Sequence, residues 1–122
     1  MRNLITDVPG VLVGNAQDRR AATGVTVAIF ETSVEASVAT LGGAPGSRAV
    51  TLLEPEARGL VDAIVLSGGS LYGLDAAGGV TAVLRAQGKG AQFGGIALPV
   101  AVQAILFDLM NGGAKDWLAG SE

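Results

Sequence analysis

The stretch Ala63-Ile64-Val65-Leu66-Ser67-Gly68-Gly69-Ser70-Leu71-Tyr72-Gly73-Leu74-Asp75-Ala76-Ala77 constrains this chain more than any other. A short apolar run breaks at paired glycines and enters a small-residue segment with helical spacing, which reads as strand, tight turn and helix. Leu71, Leu74, Gly78, Ala82 and Arg85 recur at helical intervals, predicting a helix over 71–87 that Gly88 and Gly90 end. Gly78 and Gly79 inside it cost about 1 kcal/mol each relative to alanine, so its small face is expected to pack tightly on a neighbour. At the turn, Gly68, Gly69 and Ser70 are expected to present bare N–H groups to an anion or oxyanion. By residue type alone the structural alternative is the stronger, with Ser70 as a helix N-cap and the glycines only letting the chain turn. The spacing matches neither the dinucleotide fingerprint nor the phosphate-binding loop.

Around this centre the chain reads mostly as strands and loops. Residues 11–13 form a short strand after a Pro9-Gly10 turn, ending at Gly14-Asn15. Val25-Thr26-Val27-Ala28-Ile29-Phe30 is rich in β-branched residues, and 33–40 alternates apolar with polar, so an antiparallel hairpin is expected about Glu31-Thr32. Residues 41–48 hold three glycines and a proline and read as a loop fit to wall a site. Thr51–Pro55 reads as a connecting turn. The apolar element from Ile96 to Leu109 leaves helix and strand both open, with Pro99 and the β-branched Val100, Val102 and Ile105 favouring strand.

Length and composition then narrow the class. A chain of 122 residues is expected to form one domain, residues 1–122, around one core. With 49% hydrophobic and 16% charged residues, few groups are left to cover a surface, so some apolar area is expected to be buried against a second subunit or another part of the same fold. No apolar run approaches the roughly 18 residues of a membrane span, and the start of the chain lacks a signal-peptide pattern. Zero cysteines fit a cytoplasmic protein. A net charge of −3, with basic residues scattered except for Arg19-Arg20, argues against a nucleic-acid partner.

The chemistry these residues can carry is limited. Without histidine or cysteine there is no ordinary general base, no thiol and no metal cage, so no cofactor or metal is expected. Ser47, Ser67 and Ser70 are nucleophiles only beside a lysine, a carboxylate or an amine. The two lysines, Lys89 and Lys115, read as solvated. Asp75 and Asp108 stand in apolar sequence surroundings, where hydrogen bonding to nearby backbone is the expected role. Tyr72 suits packing and hydrogen-bond donation equally. No catalytic residue is assigned within the chain.

Five ordered segments carry a resemblance. They are Ile5-Thr6-Asp7-Val8-Pro9-Gly10-Val11 with Val13-Gly14; Thr23-Gly24-Val25-Thr26-Val27; Gly42-Gly43-Ala44-Pro45-Gly46-Ser47-Arg48; Leu66-Ser67-Gly68-Gly69-Ser70 with Gly73-Leu74-Asp75-Ala76-Ala77; and Leu98-Pro99-Val100 through Ile105-Leu106-Phe107-Asp108-Leu109. Together they resemble the N-terminal portion of the L-aminopeptidase/D-esterase family, which includes β-peptidyl aminopeptidases and nylon-oligomer hydrolases.

The resemblance implies an α/β fold, the αββα sandwich of the autoprocessed N-terminal-nucleophile-like hydrolases, incomplete in this chain. It implies a precursor that cleaves its own backbone and frees the amine of a Ser or Thr to act as nucleophile and base, which explains catalysis without histidine. The family's nucleophile, its downstream lysine and its oxyanion asparagine have no counterpart before Glu122, and Gly120-Ser121 is rejected as the cleavage junction. Some relatives have tyrosine where this chain has Phe107. By this resemblance the chain is an N-terminal segment of a serine or threonine aminopeptidase or amidase acting on N-terminal amide or ester bonds. Gly68, Gly69, Ser70 and Phe107 would wall the pocket for a small peptide or amide substrate, and a C-terminal segment of the same precursor would be the partner, in a homo-oligomer. The alternative is a non-catalytic, homo-oligomeric binding or assembly module that retains only the family's first half.

Overall fold

The computed structural model describes residues 2–57 and 59–116, so Gly120-Ser121 lies outside the described residues. The architecture is mixed α/β. One five-stranded sheet has the order β1-β2-β4-β7-β3, where β1 is Val11–Asp18, β2 Thr23–Glu35, β3 Ser47–Arg48, β4 Leu60–Ser67 and β7 Ala101–Ile105. Only β4 and β7 run parallel, and the chain between them carries the helix α1 (Asp75–Ala86) and a two-stranded ribbon of β5 (Ala91–Phe93) and β6 (Ile96–Leu98).

The sequence pattern locates most of these elements, with three corrections. No hairpin forms about Glu31-Thr32. Instead β2 runs through it, pairing β4 on both sides of a register shift between Ile29 and Val34. Glu31-Thr32 lacks the Gly, Asn or Asp that a two-residue turn requires, so the chain bulges where it was expected to reverse. The true hairpin joins β1 to β2 across residues 19–22, and β1 extends past Gly14-Asn15 to Asp18. The segment from Ile96 is not one element either: it splits at Pro99-Val100 into β6 and β7, both strands. Finally, Ser70–Leu74 is a 3-10 helix entered from Gly69 at φ 87, and the α-helix starts only at Asp75. Ser70 makes no side-chain cap and itself sits at φ 52.

Strand register divides the sheet into two faces. Ile29, Ala63 and Ala101 lie side by side, as do Val27, Val65 and Gln103, and this face receives α1. The helix buries Ala77 and Leu84, seven positions apart and so on one stripe, against Ala63, Val65 and Ala101. Burying Leu84 contributes about 1.5–3 kcal/mol. The tight packing expected of Gly78 and Gly79 is absent: a Cβ at Gly79 would meet nothing within 4 Å, and one at Gly78 would meet only the Arg48 guanidinium.

The opposite face carries Val13, Ala28, Ile64 and Val102 in one row and Asn15, Thr26, Leu66 and Ala104 in the next. Leu53 and its neighbours cover Val102 and Val61 at one end. Elsewhere the face is open, and Leu66 is 54% exposed in the middle of a sheet.

Two polar staples tie distant segments together. Asp62, buried in β4, accepts the Ser33 hydroxyl at 2.6 Å and the Val100 N–H at 2.7 Å. The β1–β2 turn is clasped by residues 111–116: Asn111 donates to the Ala22 carbonyl, the Ala114 N–H to that of Arg20, Lys115 to that of Ala21, and Arg20 pairs with Asp116. Lys115 is thus an anchor, where a merely solvated role was expected.

Candidate functional site

The parallel strands β4 and β7 end side by side at Ser67 and Ile105, and both chains turn off there, the position at which α/β sheets place ligands. From Ser67 the chain passes through Gly68 and Gly69; from Ile105 it passes through Leu106, Phe107 and Asp108. A groove of ≈ 360 Å³ opens at this end, lined by Asp18, Thr23, Gly24, Ser67, Gly68 and Gly69 among others.

The glycines are required by what touches them. A Cβ at Gly68 would collide with the Asp108 carboxylate and the Thr23 hydroxyl, and one at Gly73 with the Gly68 carbonyl. Gly69 supplies the left-handed conformation that turns the strand into the 3-10 helix.

The bare donors expected here are not bare. The Gly68 N–H donates to the Gly24 carbonyl at 2.9 Å, the Gly69 N–H to Asp108 Oδ1 at 2.7 Å, and the Ser70 N–H to the Leu106 carbonyl at 3.0 Å. Three amides in a row are used to hold the turn, because buried or half-buried N–H groups are paired wherever a partner is in reach. An oxyanion hole needs donors aimed at the reacting atom, so these three do not provide one.

Asp108 is the hub of the turn. It accepts the Thr23 hydroxyl at 2.6 Å on Oδ2 and the Gly69 N–H on Oδ1. The Thr23 hydroxyl holds its carboxyl below the usual carboxylate range; burial acts in the opposite sense and is outweighed, with the Gly69 N–H and the charge of Lys115 adding to the lowering. Hydrogen bonding to backbone is the role its sequence context suggested. Asp75, by contrast, is exposed in the first turn of α1, where the helix dipole favours a negative charge.

Beneath the turn lies a buried amide. Gln103, 1% exposed, donates through Nε2 to Ser67 Oγ at 2.7 Å and to the Gly73 carbonyl at 2.6 Å, and Ser67 Oγ donates to the same carbonyl at 3.1 Å. Ser67 is therefore a structural hydroxyl with no base beside it. Gln103 Oε1 is buried with no hydrogen-bond partner among the described residues. Nothing local in the sequence marks Thr23 or Gln103, since their partners lie 85 and 36 positions away.

Of the expected wall residues, Gly68 and Gly69 line the groove. Ser70 and Phe107 do not line it, though the bond from Ser70 to Leu106 brings their segments together. Phe107 is 68% exposed. Among the described residues, no three His, Cys, Asp or Glu side chains gather where they could hold a metal, and no helix is long and apolar enough to cross a membrane.

The model of peptidase family S58 matches residues 3–120. The chain belongs to that family, the L-aminopeptidase/D-esterase family. The chain is similar to an uncharacterized aminopeptidase of Mycobacterium tuberculosis (strain ATCC 25618 / H37Rv), 41% identical over 120 aligned positions that cover 91% of this chain and 35% of the relative. An uncharacterized aminopeptidase of Mycobacterium leprae (strain TN) is 39% identical over 119 positions, covering 90% of this chain and 33% of the relative. The chain spans about a third of the length of the curated relatives it matches.

Proposed function

We propose that this chain is the N-terminal segment of an autoprocessed serine or threonine aminopeptidase or amidase, that it supplies part of the wall of a pocket for a small peptide or amide, and that a C-terminal segment supplies the nucleophile. The open sheet face carries the proposal. Leu66 stands 54% exposed beside Ile64 and Ala104 on the side away from α1, and a second sheet packed there would complete an αββα sandwich. The family membership and the share of the relatives' length that this chain spans support the same assignment.

In this mechanism the α-amine of the processed Ser or Thr takes the proton of its own hydroxyl as the oxygen attacks the amide or ester carbonyl. The leaving amine or alcohol departs with that proton, and water then hydrolyses the acyl-enzyme. The donors for the oxyanion come from the C-terminal segment, because the Gly68, Gly69 and Ser70 amides are already engaged. Gly68 and Gly69 contribute backbone to the wall, the Cβ side of Gly68 being filled by Asp108 and Thr23. Phe107 adds an apolar surface at the neighbouring exposed corner. The protein acts in the cytoplasm as a homo-oligomer.

Intact mass of the native gene product under denaturing conditions tests this directly. A second polypeptide beginning with Ser or Thr, with amidase turnover lost when that residue is replaced by alanine, is the expected result. A single 12.1 kDa species without turnover would overturn it in favour of the assembly module.

A further inference from the structure

We propose that the side of the sheet carrying α1 holds a seat for a second helix, beside α1 and over β1 and β2, and that a helix of the C-terminal segment fills it; this rests on the two-segment reading above. A helix is about 10 Å across and neighbouring strands lie about 4.8 Å apart, so one helix covers two strands. α1 covers β4 and β7 through Ala63, Val65 and Ala101. On the same side, β1 and β2 have room for one more.

Strand register defines the floor of the seat. Leu12 stands opposite Ile29, Gly14 opposite Val27 and Ala16 opposite Val25, so all six lie on the α1 side. The three on β2 are half-buried and the three on β1 exposed, Leu12 at 52%. α1 supplies the side wall. Ala76, Gly79, Val80 and Val83 recur at i, i+3, i+4 and i+7, one stripe of a helix, and with the β2 residues they line a trough of ≈ 320 Å³ that has no charged or hydrogen-bonding side chain. From Val25 to Ile29 the floor runs about 14 Å, the length of about nine helical residues.

Two glycines fit that occupant. A Cβ at Gly14 or at Gly79 would meet nothing within 4 Å, so packing within the chain accounts for neither, although glycine weakens strands and helices alike. Gly14 lies on the floor and Gly79 on the wall. With no side chain at either, a second helix settles close to the sheet and to α1, at the near end of the usual interaxial range of about 8–10 Å.

Continuity names the occupant. Residues 111–116 clasp the β1–β2 turn, where Lys115 donates to the Ala21 carbonyl and Asp116 pairs with Arg20. The chain that follows Asp116 therefore departs near the end of the trough at which Val25 and Ala76 also border the groove between Asp18 and Gly69. The curated relatives, of which this chain spans about a third, have sequence enough for this helix as well as for a second sheet. A helix seated in the trough brings one end to that groove and becomes part of its wall.

Thiol protection tests the seat, because this chain has no cysteine of its own. Gly14→Cys, Gly79→Cys and, on the opposite sheet face, Leu66→Cys are made singly in the full-length native gene product. Arg85→Cys, on the exposed far flank of α1, is the reference. Uptake of N-ethylmaleimide by the N-terminal polypeptide, followed by mass, is expected to be at least about tenfold slower at positions 14, 79 and 66 than at 85. A benzophenone side chain at position 83, on the rim of the trough, is expected to crosslink to residues three or four apart in one stretch of the C-terminal segment. Positions 14 and 79 reacting as fast as 85 while 66 stays protected would overturn the helix seat and leave the two-segment reading standing. Fast reaction at all three, or a gene product with no second polypeptide, would remove both. Crosslinks to a second copy of this chain, or to residues two apart as in a strand, would overturn the seat as well.

Discussion

Asp108 Oδ1 accepts the Gly69 N–H at 2.7 Å across 39 positions of sequence, fixing the turn after β4 from the segment that follows β7. Its other oxygen takes the Thr23 hydroxyl, so one carboxylate joins the start of β2 to the ends of both parallel strands.

Asp108→Asn exchanges an acceptor pair for one acceptor and one donor, and is expected to lower stability by about 1–3 kcal/mol. The lowered carboxyl sets the sign of its pH dependence. Stability from the ionised form is fully present above the ordinary aspartate value of about 3.9 and is lost as pH falls through the lower value of the folded state. Urea midpoints of wild type and Asp108→Asn should differ by a constant amount above about pH 5 and converge in stronger acid. A gap that ignores pH would refute the assignment.

Gly68→Ala drives a methyl group into Asp108 and Thr23 and is expected to cost about 1–3 kcal/mol. The cost should shrink in an Asp108→Ala background, where the obstructing carboxylate is gone. Equal costs in the two backgrounds, measured by a double-mutant cycle, would show that the strain arises elsewhere.

Gln103→Leu loses two donated bonds but also removes an acceptor buried without a partner, while Ser67 still donates to the Gly73 carbonyl. The terms oppose each other, and the net change in chemical denaturation is expected to stay within about 1 kcal/mol. A loss of several kcal/mol would mean that Oε1 has a bound water or other donor.

Leu84→Ala should destabilise the chain by about 2–5 kcal/mol, since the side chain is 1% exposed against the sheet. Its neighbour Val83 is 55% exposed, and Val83→Ala should stay within about 0.5 kcal/mol in the same titration.

Leu66→Lys puts a charge on the open sheet face, where it reaches water in the chain by itself, so stability should move by no more than about 0.5 kcal/mol. Association with the C-terminal segment, followed by co-purification, is expected to fail. A variant that co-purifies normally would place that segment elsewhere.

Strand β4, the helix stop at Gly88 and Gly90, and the Gly68-Gly69 turn were legible because each is written in neighbouring residues. The end of β2 was not. Its continuation through Glu31-Thr32 depends on β4, whose Val61 and Leu60 pair with Val34 and Glu35 far along the chain. The donor state of the turn failed for a similar reason: glycines at a strand end show that backbone is accessible, but only the fold brings Gly24, Asp108 and Leu106 to consume its N–H groups. Gly79 misled in the other direction, since a glycine read as tight contact stands against open space within the chain.

The clasp on the β1–β2 turn has a consequence for synthesis. Thr23 is held from 85 positions downstream, Ala21 from 94 and Arg20 from 96, so the turn of the first hairpin waits for some of the last described residues to leave the ribosome. Contacts that distant close slowly, because chain entropy is lost before they form. The early hairpin therefore emerges with its turn unsealed, and the lock arrives only with residues 111–116.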